Sequence, residues 1–323
     1  MSYSQKQMET AVQVAQMYYY QNLPMKTIAA ELGVSHSTIS RLLSWAREQG
    51  LIEIRINDLC SRADSLQEAL KLHYALREVQ VVSVPEIAGQ QVWQERVAQV
   101  AANYLNQCME SNMILGVAWG GTINLVAAHL TPKTLIDAHV VQLNGGEIVS
   151  DPSINHAGGL VTQFANNYAA RAHLFPVPTF FDYPETKQAL WRERSIQRIL
   201  QLHRQADILL FSIGSFRGAS TSAAYSGNYL QAADFTQIEQ LGVVGDIGNI
   251  MIRADGSHDS IALNKRACGP DLDLFHQAGR SICVVSGYNK LAGLKAAMAG
   301  RYVTDLIIDE PTAYRLVFGE PGQ

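Results

Sequence analysis

The segment from Met25 to Ser44, MKTIAAELGVSHSTISRLLS, restricts the possible folds more than any other stretch of this chain. With a helix starting at Met25, Ala29 stands where two helices cross closely, and Gly33 stands four residues later, where a turn needs φ > 0. Ser35 predicts the N-cap of a second helix, because its hydroxyl can accept an unpaired backbone N–H. The spacing predicts a helix-turn-helix, with an ordinary helical hairpin as the alternative.

The second helix of this motif carries short polar side chains and one arginine. Such side chains can enter the major groove of DNA, hydrogen-bond to base edges and contact phosphates. The sequence therefore predicts that this helix reads double-stranded DNA. The predicted DNA-binding residues are Ser35, His36, Ser37, Thr38, Ser40 and Arg41.

The flanking residues extend the motif to an all-α winged domain over residues 1–57. Residues 8–21 have an apolar helical stripe and predict a first helix, and Pro24 predicts a break before the motif. Residues 51–58, LIEIRIND, alternate as a strand does and predict a wing, whose Arg55 either touches phosphate or stays solvated. The predicted core between the two helices of the motif contains Leu32, Val34, Ile39 and Leu42.

Length and composition restrict the class of protein. At 323 residues, of which 47% are hydrophobic, the chain can form about two domains with a sizeable core. It has no run of about eighteen apolar residues, and its first residues lack the pattern of a secretion signal, so no membrane partner is expected. The four cysteines are far apart without a CxxC pair, which predicts a cytoplasmic protein with neither metal nor cofactor.

The charge distribution bears on how DNA would be bound. The net charge of −4 argues against a protein that coats nucleic acid non-specifically. Residues 1–57 carry five Lys or Arg residues and four Glu residues, a net charge of +1. A weakly basic domain is expected to bind a single DNA site with modest affinity. Specificity would then come from two or more copies of the chain on a symmetric site.

From Val79 onward, apolar runs typical of strands alternate with helical stretches. Continuous apolar strands separated by helices predict a doubly wound α/β domain with a mostly parallel sheet over residues 79–323. Residues 58–78 predict a linker helix whose apolar stripe either pairs two subunits or docks on the second domain. The predicted strands lie within VQVVSV (79–84), MILGVAWGGT (113–122), HVVQLNGG (139–146), AHLFPVP (172–178), ILLFSIGS (208–215), VVGDIGNIMI (243–252), SICVVSG (281–287) and YVTDLIID (302–309).

Glycines and small polar residues follow several of these predicted strands. In open α/β sheets, ligands gather at the carboxyl ends of the strands. Gly120 and Gly121 precede a predicted helix, so backbone N–H groups and the Thr122 hydroxyl can hold an anion at its N-terminus. The alternative is that these glycines only permit tight turns between strand and helix.

Other loops at the same predicted edge carry charged or hydroxyl side chains. Ser215 and Arg217 offer a second anion site, with a guanidinium suited to phosphate. Lys290 adds a positive charge, and Asp246 is a carboxylate that suits sugar hydroxyls. Together these loops predict a small phosphorylated ligand.

Several common chemistries lack their sequence signatures. Neither GxGxxG nor GxxxxGK[ST] occurs, so dinucleotides and nucleoside triphosphates are not the predicted ligands. The chain has no HExxH metal motif and no GxSxG nucleophile motif, which argues against an enzyme of those classes. The basic helix at 191–204 is interpreted as a solvated face rather than a second nucleic-acid surface.

Taken in order, the winged helix-turn-helix and the motifs GVAWGGT, VVQLNGG, LFPVP, FSIGS, GVVGDI and SGYNK resemble the SorC family of bacterial transcriptional regulators. The resemblance continues through AAMAGRYVTDLIIDEPTA and covers about residues 8–318. It implies a C-terminal effector domain similar to sugar-phosphate isomerases and deaminases. It also implies a homo-oligomer, dimer or tetramer, that binds a palindromic operator, usually as a repressor released by a sugar or sugar phosphate.

The resemblance also implies roles for individual residues. Some members of the family carry a lysine at the position of Asn144, where it forms an imine with an aldehyde effector. An amide cannot form an imine, so a non-covalent ligand is expected here. The family's phosphate-loop positions match Gly120, Gly121, Thr122, Ser215, Arg217 and Lys290, and its sugar-facing positions match Asn144, Gly145, Gln163 and Asp246.

The sequence thus predicts a non-enzymatic DNA-binding regulator, acting as a repressor of a carbohydrate or nucleoside catabolic operon. Its operator affinity is expected to be controlled by a small phosphorylated sugar. One alternative keeps the regulator but gives it an unphosphorylated sugar, polyol or nucleoside as effector. The other is a sugar-phosphate isomerase or deaminase with a fused regulatory module, although the motif DGADE of such enzymes is missing.

Overall fold

The computed structural model of the chain describes residues 5–52, 62–85, 87–146, 157–216, 225 and 229–319. The chain divides into two compact units, Met1–Leu59 and Cys60–Gln323. Within the described ranges, no helix combines the length and the apolar character needed to cross a bilayer. Most of the predicted wing at 51–58, including Arg55, lies outside the described residues.

The described part of the first unit is helical. Helix α1 (Gln5–Ala15) continues into a π-helical turn (Gln16–Tyr20), and α2 (Met25–Leu32) and α3 (His36–Glu48) follow. Each helix has one apolar face, and the three faces meet in a single small core. The buried residues of this core are Ala11, Val14, Ala15, Met17, Ile28, Ala29, Ile39, Leu42, Leu43 and Ala46.

This core differs from the prediction at one position. Ile39 and Leu42 are buried and Leu32 is partly buried, as predicted, but Val34 is 38% exposed. Val34 lies in the turn between α2 and α3, so its side chain belongs to the apolar face of neither helix. Ile28, one turn before Leu32 on α2, is fully buried and occupies the core instead.

The second unit alternates strands and helices. Its strands are β1 (Glu78–Val82), β2 (Ile114–Val117), β3 (His139–Gln142), β4 (Arg171–His173), β5 (Ile208–Phe211), β6 (Ile213–Gly214), β7 (Val243–Ile247), β8 (Ile250–Arg253), β9 (Arg280–Val285) and β10 (Asp305–Asp309). Its helices are α4 (Arg62–Tyr74), α5 (Gln90–Cys108), α6 (Gly121–Ala128), α7 (Ala157–Tyr168), α8 (Pro184–Leu190), α9 (Arg194–Arg204), α10 (Ala232–Gln240), α11 (Leu274–Gln277), α12 (Leu291–Ala299) and α13 (Glu310–Phe318).

In the described part of this unit, seven strands form one sheet in the order β1-β10-β9-β5-β2-β3-β4, and every neighbouring pair is parallel. This confirms the predicted doubly wound α/β domain, with separate hydrophobic cores that share the strands. The chain runs from β2 outward through β3 and β4, and then returns to β5 on the other side of β2. The carboxyl ends of β2 and β5 therefore flank a topological switch point, where ligands bind in such sheets.

The prediction that VVGDIGNIMI (243–252) contributes to the mostly parallel sheet is wrong. This segment forms the antiparallel hairpin β7–β8, which pairs with β6 in a separate three-stranded sheet of the described residues. Gly248 and Asn249 connect its two strands, with φ angles of 53° and 76°. Positive φ at both central residues is the geometry that two-residue hairpin turns favour. Asp246 therefore lies on a hairpin beside the main sheet and not at the end of one of its strands.

Helix α4, which corresponds to the predicted linker helix, packs on its own unit. Leu66 is buried in the core of the second unit. The side-chain oxygen of Gln67 accepts a hydrogen bond from the Val81 backbone N–H at 2.9 Å, and Lys71 pairs with Glu78 at 3.1 Å. Of the two roles predicted for this helix, docking on the second domain is the one that these contacts serve.

Candidate functional site

The turn of the helix-turn-helix has the local geometry that its sequence predicts. Gly33 ends α2 in the left-handed region, with φ 65° and ψ 29°, and its N–H bonds to the Ala29 carbonyl. Ser35 is the N-cap of α3, and its hydroxyl accepts a hydrogen bond from the Thr38 backbone N–H at 3.2 Å. These two residues fix the angle at which α3 leaves the turn.

Helix α3 presents a polar, exposed face opposite its buried apolar residues. Of the predicted DNA-binding residues only Thr38 is partly buried, and its hydroxyl lies 2.8 Å from that of Ser35. The Ser35 hydroxyl also lies 2.8 Å from that of Ser37, so hydroxyl groups cluster at the start of the helix. An exposed helix N-terminus with hydroxyls and a guanidinium is suited to base edges and phosphates. The exposed residues on this face are Ser35, His36, Ser37, Ser40 and Arg41.

At the switch point of the second unit, the Lys290 side chain crosses between two strand ends. Its ammonium donates to the Thr122 hydroxyl at 2.8 Å and to the Ser212 hydroxyl at 3.0 Å. Thr122 lies in the first turn of α6, which follows β2, and Ser212 comes directly after β5. Gly120 is the N-cap of α6, and a Cβ on Gly120 or Gly121 would meet nothing within 4 Å. The predicted anion loop and Lys290 therefore lie together, around unobstructed backbone.

Burial changes the electrostatics of this lysine. Desolvation lowers the pKa of Lys290 to about 8, although the nearby Cys283 and Asp246 act in the opposite direction. Lys290 thus remains mostly protonated at neutral pH. Because a bound anion would compensate this desolvated charge, the ammonium is prepared for an anionic ligand.

Asp246 is buried near Lys290, and each oxygen of its carboxylate accepts a hydrogen bond. Its Oδ1 accepts from the Tyr225 hydroxyl at 2.6 Å, and its Oδ2 accepts from the Asn249 backbone N–H at 2.9 Å. Burial raises the pKa of Asp246, while these two hydrogen bonds and Lys290 oppose the rise. A Cβ on Gly214 would collide with this carboxylate, so glycine is required there.

Asn144 and Gly145, the predicted sugar-facing residues after β3, join the surrounding loops. The buried Asn144 accepts from the Trp119 backbone N–H at 2.9 Å and donates to the Asn249 side-chain oxygen at 3.3 Å. The Gly145 carbonyl accepts from the Trp119 indole N–H at 2.7 Å, and the Gly145 N–H donates to the Cys268 carbonyl at 2.7 Å. Through Asn249 this network connects to Asp246, so Asn144, Gly145 and Asp246 form one assembly.

The remaining predicted effector residues lie in different places. Ser215 donates from its hydroxyl to the Asn289 carbonyl at 2.9 Å, next to Lys290. Gln163 is exposed on α7 and donates to the Ala127 carbonyl at 3.1 Å, at the opposite end of α6 from Thr122, so the structure does not bring it to the cluster. Arg217 lies outside the described residues.

The side chains of Ser212, Asn249 and Tyr225 take part in this site but were not predicted from the sequence. Ser212 had a usable signal, since it directly follows the apolar run of β5. Asn249 also had one, because Gly-Asn between two apolar runs is typical of a hairpin turn. Tyr225 had none, since its contact with Asp246 depends on how the chain folds between distant segments. Within the described residues no group of three or more His, Cys, Asp or Glu side chains is placed to hold a metal ion.

Comparison with known proteins agrees with this arrangement. Residues 59–317 match the family described as "Putative sugar-binding domain", and residues 9–49 match region 4 of sigma-70. The chain is 31% identical over 312 residues to the deoxyribonucleoside regulator of Bacillus subtilis (strain 168), covering 96% of this chain and 97% of that protein. The chain belongs to the SorC family of transcriptional regulators. It is a DNA-binding regulator with a sugar-binding domain, and not an enzyme.

Solved structures agree with this membership along the whole chain. The full-length sorbitol operon regulator SorC from Klebsiella pneumoniae superposes with a TM-score of 0.77 at 26% identity, covering 98% of this chain and all of that one. A domain described as part of "a possible sugar-binding transcriptional regulator" from Arthrobacter aurescens TC1 gives a TM-score of 0.74 at 40% identity, covering 80% of this chain and 98% of that domain. The sequence-based assignment to the SorC family is thereby confirmed.

Proposed function

We propose that this regulator binds a palindromic operator as a homo-oligomer, and that a small phosphorylated sugar bound between β2 and β5 controls its affinity for that DNA. The observation that carries the proposal is the position of the Lys290 ammonium, which hydrogen-bonds to Thr122 and Ser212 at the switch point. Three loops thus bring one cation, two hydroxyls and the first N–H groups of α6 to one place. A phosphate monoester accepts hydrogen bonds from all of these groups.

The neighbouring assembly of Asn144, Gly145 and Asp246 is proposed to contact the sugar. Asp246 interacts electrostatically with Lys290, and the amide and carboxylate groups of the assembly can pair with hydroxyls. Relatives named for deoxyribonucleosides and for sorbitol support a sugar-derived or polyol-derived effector. Arg217, which lies outside the described residues, remains a prediction for the effector site, whereas Gln163 is not included in the proposal.

For the DNA side we propose that α3 enters the major groove, with Arg41 on phosphate or guanine and the hydroxyls of its first turn on base edges. A dimer or tetramer presents two such helices to a palindrome, which compensates for the weakly basic domain. We propose repression released by the effector, in the cytoplasm, where the DNA lies. For release, the sugar phosphate must bind the DNA-free form more tightly than the DNA-bound form, since equal affinity shifts nothing.

The experiment that tests the effector class is isothermal titration of the full chain with paired ligands. The panel consists of ribose 5-phosphate, deoxyribose 5-phosphate, fructose 6-phosphate and glucose 6-phosphate, each with its unphosphorylated parent. We expect at least one phosphate to bind about 10-fold or more tightly than its parent, because a hydrogen bond to a charged group contributes about 1.5–3 kcal/mol. Tighter binding of a parent sugar would replace the phosphorylated effector with the unphosphorylated alternative.

A further inference from the structure

The loop that carries Lys290 is attached to the start of α13 by hydrogen bonds that the proposed effector site does not use. The Gly287 N–H donates to the Asp309 carboxylate at 3.0 Å and to the Thr312 hydroxyl at 3.2 Å. Asp309 is also the N-cap of α13 and accepts from the Thr312 backbone N–H at 2.8 Å. A displacement of the loop therefore acts directly on the first turn of this helix.

The loop has a second attachment one turn further along α13, where Arg315 of the helix contacts the aromatic ring of Tyr288. The guanidinium carbon of Arg315 lies 3.4 Å from the centroid of the Tyr288 ring, a close cation–π contact. The edge of the Trp93 ring also meets Tyr288, with centroids 5.7 Å apart. Tyr288 stands two residues before Lys290, so the position of the lysine and the position of the ring are coupled through a short 3-10 turn.

The same part of α13 contacts the first residue of α4. The guanidinium carbon of Arg62 lies 4.0 Å from the centroid of the Tyr314 ring, and its Nε lies 3.7 Å from the Glu310 carboxylate. The other oxygen of Glu310 accepts from the Ser83 hydroxyl at 2.9 Å. In the sequence, Arg62 is where the described chain resumes after Ile52 of the DNA-binding unit.

The direction of α4 places Arg62 toward the carboxyl ends of the strands, where the proposed effector site lies. Lys71, near the end of α4, pairs with Glu78 at the start of β1, whereas Gln67 bonds to Val81 near the end of β1. Helix and strand therefore run in opposite directions. Since β1 is parallel to the other strands of the main sheet, the start of α4 lies toward the carboxyl ends, where the Lys290 loop also lies.

We propose that the first two turns of α13 couple the Lys290 loop to Arg62 and so transmit effector binding to the segment that leads to the DNA-binding unit. This inference rests on the proposed function. A ligand that holds Lys290 favours one position of the Lys290 loop. That position acts on α13 through the hydrogen bond to Asp309 and through the contact of Tyr288 with Arg315. Glu310 and Tyr314 on the same turns then hold or release Arg62. Because the Arg62 side chain is 47% exposed, its contacts are weak enough for a ligand to shift them.

The test uses the full chain with Arg62→Ala and Arg315→Ala, and Lys295→Ala as the matched control. Lys295 is exposed on α12 and loses a charge in the same way. Operator affinity is measured by fluorescence anisotropy with and without the panel sugar phosphate that binds most tightly. In wild type and in the control, the sugar phosphate is expected to change operator affinity by about 5- to 150-fold. Each coupling variant is expected to shift by less than about 3-fold, although its affinity for the sugar phosphate stays within about 3-fold of wild type.

Two outcomes would overturn the coupling role. Either the variants shift like wild type, or they lose sugar-phosphate binding itself, which would make them site residues. A wild type that does not shift would instead refute the proposed function. In that case, hydrogen exchange of Arg315→Ala still decides the structural coupling. Loss of protection in the first bonded amides of α4, Leu66 to Ala69, supports it, and unchanged protection there overturns it.

Discussion

Replacing Lys290 with methionine tests how much of the effector affinity depends on one ammonium group. Methionine keeps an unbranched chain but has neither the charge nor the hydrogen-bond donors. In the wild type the ammonium is already fixed 2.8 Å from the Thr122 hydroxyl and 3.0 Å from the Ser212 hydroxyl, so little side-chain freedom is lost when phosphate binds. A hydrogen bond to a charged group contributes about 1.5–3 kcal/mol, so Lys290→Met should weaken sugar-phosphate binding by about 10- to 150-fold.

Isothermal titration measures this loss, with Lys295→Met as the control for an exposed lysine on the following helix. The parent sugar, which has no phosphate to lose, should change its affinity by less than about 3-fold in Lys290→Met. An equal loss for the phosphate and for its parent would refute the assignment of Lys290 to the phosphate. A loss below about 2-fold for the phosphate would refute it as well.

The pH dependence of sugar-phosphate binding and of stability in the wild type adds an independent check. Burial lowers the pKa of Lys290 to about 8, so its charge is lost between pH 7 and 9, and wild-type affinity for the sugar phosphate should fall by about 10-fold across that range. The unfolded chain keeps this proton up to about 10.5 and so binds more protons than the folded chain between the two pKa values. Lys290 should therefore make the wild type gain stability relative to Lys290→Met as the pH rises through that window, as urea unfolding can measure.

Three further substitutions test other parts of the molecule. Arg41→Ala should abolish binding to specific operator DNA in competition anisotropy while sugar-phosphate binding is retained, and unchanged operator affinity would refute the role of α3. Ser35→Ala removes an N-cap and should destabilise the first unit by about 0.5–2 kcal/mol in urea unfolding, without effect on effector binding. Gly214→Ala places a Cβ against the Asp246 carboxylate and should lower the thermal midpoint, whereas Gly89→Ala, with open space around it, should not.

Local features of this fold could be predicted from the sequence because they depend on neighbouring residues. Gly33 and Ser35 determine the turn of the helix-turn-helix through their own backbone and side-chain chemistry. The alternation of apolar strands and helices likewise predicted the parallel sheet. The hairpin at 243–252 was predicted wrongly because its two apolar strands read as one run when the Gly-Asn turn between them is overlooked.

The candidate site was predictable only in part, for a different physical reason. Thr122 and Lys290 could be named because each follows an apolar run, and such strand ends gather at one edge of a parallel sheet. Which side chains touch depends on strand order, and the order that puts β5 between β2 and β9 is not encoded locally. The contact of Ser212 with Lys290 follows from that order.

In the proposed function, a phosphate bound at Lys290 changes the affinity of α3 for its operator. This coupling is tested by the operator affinity of wild type and Lys290→Met, each with and without the sugar phosphate, at one fixed salt concentration. We predict equal affinities without ligand, a shift of about 5- to 150-fold in wild type, and a shift below about 3-fold in Lys290→Met at the same ligand concentration. A full shift in Lys290→Met, or a wild type that responds equally to the unphosphorylated parent, would contradict the claim.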